Sequence, residues 1–325
     1  MWQPVAASIA ALYPTIKRKV AMLLGANKVD KRGKPMTGKV ARRNSSLAFA
    51  TAVLFVLSNA ASAATCDRGC LLEQTKQFNA NMLAHTTEKI PLAANANIRE
   101  NTKAIALGDS KWIGVAKILS EGVYADPILG NVIEHIAAET AAGKTVYIGT
   151  RLKLVDRKIK EVEINFDDGP RVNIKNLVPY DPIFNTIVPP EERSTREELA
   201  RIITSYFKGL TDHNPIQADY DPRCDRYHSG NRVTHNPRNG IEDGGDGGCY
   251  ESNLGPKPWG PATEVRIGLV DPERGIVIGY AILYYGNSDR RMQINEVFKI
   301  LDGRLRMVDN IGLMEEGITT SGFTE

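Results

Sequence analysis

The chain has 325 residues, enough for two domains of about 120–130 residues each rather than one core. Its 42% hydrophobic content is that of a globular protein, and its net charge of +3 would by itself admit a nucleic-acid partner. That charge is unevenly placed. Residues 1–63 hold ten Lys/Arg against Asp30 alone, a net +9, so the +3 of the whole leaves −6 on the remainder. An acidic body without basic patches interleaved with aromatics offers a phosphate backbone nothing to bind, so nucleic acid is excluded.

The first element in chain order is a leader. Arg42 and Arg43 flank an apolar core from Leu47 to Leu57, and Ala61-Ser62-Ala63 supplies an A-x-A site before Ala64. Basic flank, apolar core and small-residue site in that order make a secretory signal peptide. The apolar run falls short of the roughly 20 residues of a membrane-spanning helix. No stable membrane insertion is therefore expected after cleavage, and the protein is expected to be secreted or periplasmic. Residues 1–63 are set aside as leader, with Met1 and Met36 as alternative starts.

All four cysteines follow the leader: Cys66, Cys70, Cys224 and Cys249. An even count in an exported chain points to two disulfides. Of three possible connectivities, Cys66–Cys70 and Cys224–Cys249 are preferred because each closes within one domain. Cys-x3-Cys and Cys-x24-Cys lack the close paired spacing of structural zinc.

Residues 64–166 are assigned to a first domain. From Cys70 to His85, Leu71, Thr75, Phe78 and Met82 recur at helical spacing. Strand-like runs follow at residues 98–107, 131–139 and 145–155, with a helical stretch at 111–119 between them, and residues 152–163 (LKLVDRKIKEVE) read strand–turn–strand. Residues 167–194 are a Pro- and Asp-rich linker, expected to lie extended over a surface. The second domain, residues 195–325, opens with a helix over 196–213. Ser194-Thr195 and Glu197-Glu198 form its capping box, and Leu199, Ile202, Ile203, Tyr206 and Leu210 form its apolar face. Strands are expected at 232–235, 262–270, 275–285 and 292–301. Residues 298–309 (FKILDGRLRMVD) make a closing hairpin turned at Asp302-Gly303, and a frayed tail follows Met314.

The two hairpins align without a gap, Lys153 with Lys299, Asp156 with Asp302, Ile159 with Leu305, Val162 with Val308 and Glu163 with Asp309. The opening helices align as well, Phe78 with Tyr206, Met82 with Leu210 and His85 with His213. Two copies of one α+β domain are expected, each with helices on one face of a strongly curved, mostly antiparallel sheet that encloses a cone-shaped cavity. Helix entry, strand–Asp-Gly–strand exit and domain size resemble the nuclear-transport-factor-2-like superfamily, which includes SnoaL-like polyketide cyclases and ketosteroid isomerase. The tandem form with an export signal and paired cysteines is similar to secreted two-domain SnoaL-like proteins. The resemblance spans roughly residues 66–313. It implies a fold and leaves the reaction open, because the superfamily holds isomerases, dehydratases, cyclases, hydrolases, lyases and non-catalytic binders.

Enzymes of this superfamily place acids or histidines in an apolar cone, where burial moves a pKa toward neutrality. The ketosteroid isomerase set of an Asp base, a Tyr and a protonated Asp does not map here residue by residue. In the first domain Asp109 reads as an N-cap or an acid, and Trp112 as a substrate contact. Glu134 and His135 are strand neighbours facing opposite ways; if His135 faces the cone, Ile133 and Ala137 give it an apolar surround. In the second domain Arg226, Tyr227, His228 and Asn231 sit in a segment pinned by a disulfide. Arg226 offers a fork for a carboxylate or oxyanion and His228 a proton near neutral pH, or both belong to a loop-stabilising network. Tyr280 and Tyr284 add hydroxyls or serve as core.

Glu242, Asp243 and Asp246 lie in a Gly-rich run without EF-hand spacing, read as a lid or solvated loop rather than a calcium site. No metal and no cofactor are expected, since no phosphate loop, G-x-S-x-G elbow or H-E-x-x-H occurs. Two functions stay open. One is a cofactor-independent lyase, dehydratase or isomerase acting on a small apolar or aromatic molecule, with His228 or His135 moving the proton and Arg226 steadying negative charge. The other is a non-catalytic module for a small ligand or a partner protein. Homodimers through sheet faces, or pairing of the two copies with each other, are further expectations of the fold.

Overall fold

A computed structural model describes residues 66–170, 172, 182–236, 247–254, 259–286 and 289–324. The leader, most of the 167–181 stretch and the loop with Glu242, Asp243 and Asp246 lie outside the described residues.

Helix α1 (Arg68–Leu83) starts where Asp67 accepts a hydrogen bond from the Cys70 amide at 2.8 Å. It buries Leu71, Thr75, Phe78 and Met82, the residues at helical spacing. Strands β1 (Leu92–Glu100), β2 (Lys103–Ala104), β3 (Val115–Asp126), β4 (Asn131–Thr140), β5 (Thr145–Val155) and β6 (Lys158–Asp167) follow. They form one sheet in the order β2-β1-β6-β5-β4-β3, antiparallel except where β1 runs parallel to β6.

The second copy repeats this plan. Helix α2 (Arg196–Asp212) carries the expected capping box, in which Thr195 receives the Glu198 amide and Glu198 receives the Thr195 amide. Strands β7 (Tyr220–His228), β8 (Asn231–Arg232), β9 (Trp259–Asp271), β10 (Ile276–Tyr285), β11 (Arg290–Leu301) and β12 (Arg304–Glu316) stand in the order β8-β7-β12-β11-β10-β9, with β7 parallel to β12. A one-turn helix α3 (Cys249–Ser252) is tied to β7 by the Cys224–Cys249 disulfide, and Cys66–Cys70 is the other bond. Both bonds are the preferred pairs.

The repeat extends to backbone conformation. His85 and His213 leave their helices at φ of 55° and 52°. The hairpins turn with two positive-φ residues each, Asp156-Arg157 at 50° and 61° and Asp302-Gly303 at 49° and 69°. Two positive values are what a two-residue type I′ turn requires to match strand twist.

Three expectations are corrected. Residues 111–119 are helical only over Lys111–Gly114; from Val115 the chain is strand β3, because pairing along β4 overrides a weak local helix pattern. Arg226, Tyr227 and His228, expected in a loop pinned by a disulfide, end strand β7 alongside β12. The tail is not frayed. Phe323 is buried, with the guanidinium of Arg151 4.8 Å from its ring centroid, and the Gly322 carbonyl accepts from Asn97 at 3.0 Å. The described end of the linker is packed too, with Phe184 and Val188 buried.

Each sheet has two apolar faces. One packs on its own helix, with Phe78, Trp112 and Ile136 in the first core and Phe207, Leu283 and Phe298 in the second. The opposite faces meet each other, Tyr124 and Ile133 against Leu269, Ile278 and Tyr280, and Ala137 and Tyr147 against Ile311 and Leu313. Gly149 permits this approach, since a Cβ there would stand 2.5 Å from the Asn295 amide nitrogen. The sheet faces that the fold offers for pairing are thus filled by the two copies of one chain.

Candidate functional site in the second cone

Strand alternation decides which side chains of the second domain reach its helix-side cavity. On β11 the residues Met292, Ile294, Glu296, Phe298 and Ile300 share that side, so one acid stands in an otherwise apolar row. On β7 the same side receives Arg226 and His228, and on β12 it receives Asn310 and Met314. Together with Tyr206 and Leu210 of α2 and Trp259 of β9 they line a cavity of about 130 Å³.

Glu296 is the centre of this arrangement. It is buried, its Oε1 accepts from Asn310 Nδ2 at 2.8 Å and more distantly from the Tyr206 hydroxyl at 3.4 Å, and its Oε2 has no protein partner. Burial pushes its carboxyl up to about 7, against the nearby Arg226 charge, which pulls it down. Arg226 is 7% exposed, and its Nε is buried without a hydrogen-bond partner. His228 stands over Gly312, where a Cβ would lie 2.6 Å from Nε2, so glycine leaves the ring its present position. Near-neutral carboxyl, imidazole and guanidinium in one apolar cavity can accept, return and electrostatically balance a proton.

The sequence candidates fall on both sides of the sheet. Arg226 and His228 reach the cavity. Tyr227, one residue between them, packs on the opposite face beside the inter-sheet cluster. Tyr280 is buried in that cluster under the Arg266 guanidinium, 4.6 Å from its ring centroid, and Tyr284 shares its side of β10. Leu283 and Tyr285, the alternate residues, line the cavity instead. Asn231 sits on the two-residue strand β8, paired with His228 through the backbone. The loop-stabilising network lies next door: Asp225 receives Arg232 at 2.9 Å, Thr234 at 3.0 Å and His235 Nδ1 at 2.7 Å.

The first-domain candidates do not line a cone. Asp109 is exposed, and Ser110, not Asp109, caps the short helix by accepting the Trp112 amide at 3.1 Å. Trp112 is fully buried core, out of reach of a ligand. His135 does share its face with Ile133 and Ala137, but that face is the inter-sheet one. Its Nδ1 lies 3.1 Å from Asp309 Oδ2 and its Nε2 lies 3.1 Å from Asn295 Oδ1, all buried. Glu163 and Asp309, the closing-strand acids, both face this seam. Arg266 meets Glu163 at 2.7 Å, and the Tyr147 hydroxyl donates to Asp309. Glu134 points the other way, where Asn79 Nδ2 donates to it at 2.7 Å and burial pushes it up to about 8.

Glu296, Asn310 and Tyr206 are the site residues that motif reading passes over. Period-two reading of β11 finds Glu296 as the lone acid on its apolar side, and the same reading of β4 finds Glu134 between Val132 and Ile136. Among the described residues no three His, Cys, Asp or Glu side chains converge to hold a metal, and no helix is long and apolar enough to cross a membrane.

Residues 192–312 match a family described as a domain of unknown function (DUF8021). No curated protein matches the chain. Among solved structures, the chain is similar to a protein from Sphaerobacter thermophilus, 10% identical, covering 35% of this chain and 94% of that one at a TM-score of 0.27. A candidate ketosteroid isomerase from Kribbella flavida DSM 17836 is 14% identical, covering 38% and 84% at 0.28. An NTF-2 like protein of unknown function from Burkholderia xenovorans LB400 is 12% identical, covering 40% and 92% at 0.26.

Proposed function

We propose that the protein is an exported, cofactor-independent acid–base enzyme of the isomerase, lyase or dehydratase type, acting on a small apolar or aromatic molecule in the second domain's cone. The observation that carries this reading is Glu296, a carboxyl near neutrality whose Oε2 is buried beside the cavity without a protein partner. A base with its pKa near the working pH combines a usable ionised fraction with a driving force for proton transfer. Glu296 takes a proton from a carbon beside a carbonyl, and His228 returns one to carbon or oxygen. Arg226 steadies the negative charge that builds up between these steps. Apolar walls at Leu210, Trp259, Leu283 and Met292 hold the carbon skeleton and keep the charged groups from water. The first domain serves as support, its face against the second sheet fixing β11 and β12. Two disulfides support an oxidising, non-cytoplasmic compartment.

The test is solvent exchange. The purified protein is incubated in D2O with a panel of small carbonyl compounds bearing acidic C–H bonds, and deuterium incorporation is followed by NMR. Catalysed incorporation that drops by about 100-fold or more in Glu296→Gln fits a general base. No incorporation with any compound, or undiminished incorporation in Glu296→Gln, rejects the enzyme reading and leaves the binding module.

A further inference from the structure

We infer that the second cone takes an organic carboxylate, held by Arg226 through its acid group with its apolar body against the β10–β11 wall. This rests on the cavity assignment above and deepens it by naming the class of ligand.

The first observation is a buried cation with no hydrogen-bonded acid, since Glu296 feels its charge but makes no bond to it. Arg226 is more than nine-tenths buried, yet its guanidinium makes no side-chain hydrogen bond and no ion pair within 4.0 Å among the described residues, and its Nε is buried unpaired. Its backbone is fixed, the amide donating to Thr234 Oγ1 at 2.8 Å and the carbonyl accepting from Val233 at 2.9 Å. Other guanidinium groups of the chain are answered by acids: Arg232 by Asp225, Arg151 by Glu161 and Glu163, Arg266 by Glu163. A buried cation is tolerated when something pairs it, and a planar fork is matched by a carboxylate through two parallel hydrogen bonds.

The second observation is the shape of what surrounds that fork. Leu210, Trp259, Leu283, Met292 and Ile294 make one side of the cavity apolar, and Arg290 adds a second positive charge among its lining residues. Apolar cavities of roughly 150 Å³ take up a benzene ring, so a volume of about 130 Å³ suits one ring or a short branched chain. A mineral anion would leave those walls unfilled. An acid group held on Arg226 stands in the same cavity as Glu296.

The test uses benzoate against its neutral isostere benzamide, followed by chemical-shift titration of the purified protein. Benzoate is expected to bind at least tenfold more tightly than benzamide, with shifts at the Trp259 indole and Met292 methyl. Arg226→Gln is expected to abolish that preference and Arg226→Lys to keep part of it. Glu296→Gln is expected to retain benzoate binding while losing deuterium exchange, so the two claims fail separately. Equal affinity for benzoate and benzamide in the wild-type protein overturns the inference, whatever the variants do. So does a preference that survives in a folded Arg226→Gln protein.

Discussion

Arg68 at the start of α1 reaches across to Asp271 at the end of β9 with an N–O distance of 2.7 Å. The equivalent residues of the other copy return the contact, Arg196 of α2 to Asp126 of β3, also at 2.7 Å. The duplicated domains therefore bind each other as two subunits of a symmetric dimer would, each helix start paired with the partner sheet. Asp126 additionally accepts the Val270 amide at 3.0 Å. Asp126→Ala strands a half-buried guanidinium and that amide together. A loss of about 3–5 kcal/mol is expected in urea unfolding, with one cooperative transition for both domains. Two separated transitions in the wild-type protein would contradict this packing.

Stability should fall with rising pH on the acid-to-neutral side. Burial raises Glu134 to about 8 and Glu296 to about 7, above the ordinary value of 4.5. A carboxyl with a raised folded pKa contributes its full stability below the unfolded value and loses it as pH climbs through the folded one. The window is therefore pH 4.5 to 8. For Glu134 the loss is on the order of 5 kcal/mol. Glu134→Gln, which keeps an acceptor for Asn79, should flatten the denaturation profile across that window. An unchanged slope would show that Glu134 is not protonated in the folded protein.

His135 sits in the seam between the sheets, away from the second cavity. Its two ring nitrogens hold Asp309 and Asn295, whose neighbours Asn310 and Glu296 face the cavity. His135→Ala should lower the melting temperature while leaving Glu296-dependent deuterium exchange in the folded protein within a few-fold of wild type. Complete loss of exchange in a fully folded variant would return His135 to the chemistry.

Arg157 occupies the left-handed position that Gly303 fills in the second hairpin, at φ of 61° against 69°. Replacing it by glycine removes the Cβ penalty of about 1 kcal/mol. Arg157→Gly should therefore raise the urea midpoint, and Gly303→Arg should lower it. Gly312→Ala acts elsewhere. A Cβ pushed against His228 displaces a flexible ring at little cost to the fold, so the His228 resonances should shift while the melting temperature stays close to wild type.

Much of this was legible in the residues, and the failures have physical causes. Hairpin turns, capping box and helix faces are local, so DRK and DGR signals, Thr195/Glu198 and the Phe78/Tyr206 pair located them. The duplication located the two sheets. Pairing of the two copies was an expectation of the fold, but which residues meet in the seam is a tertiary fact that the sequence does not display. His135 and Asp309 sit on polar-looking strand positions whose partners across the seam are 160 to 174 residues away in sequence. Tyr227 and Tyr280 were placed in the site by residue type, and alternation by a single residue turned both toward the seam. Glu296 was missed for the converse reason: motif reading looks for clusters, and a lone acid on an apolar face is a cluster only after folding.

Glu296 is the group on which the proposed chemistry depends, and carbon-13 titration of its side-chain carboxyl reads its ionisation. A midpoint near 7 is expected in the folded wild-type protein, with loss of that transition in Glu296→Gln. A midpoint near 4.5 would mean a solvated carboxylate and would contradict Glu296 as the base of the second cone.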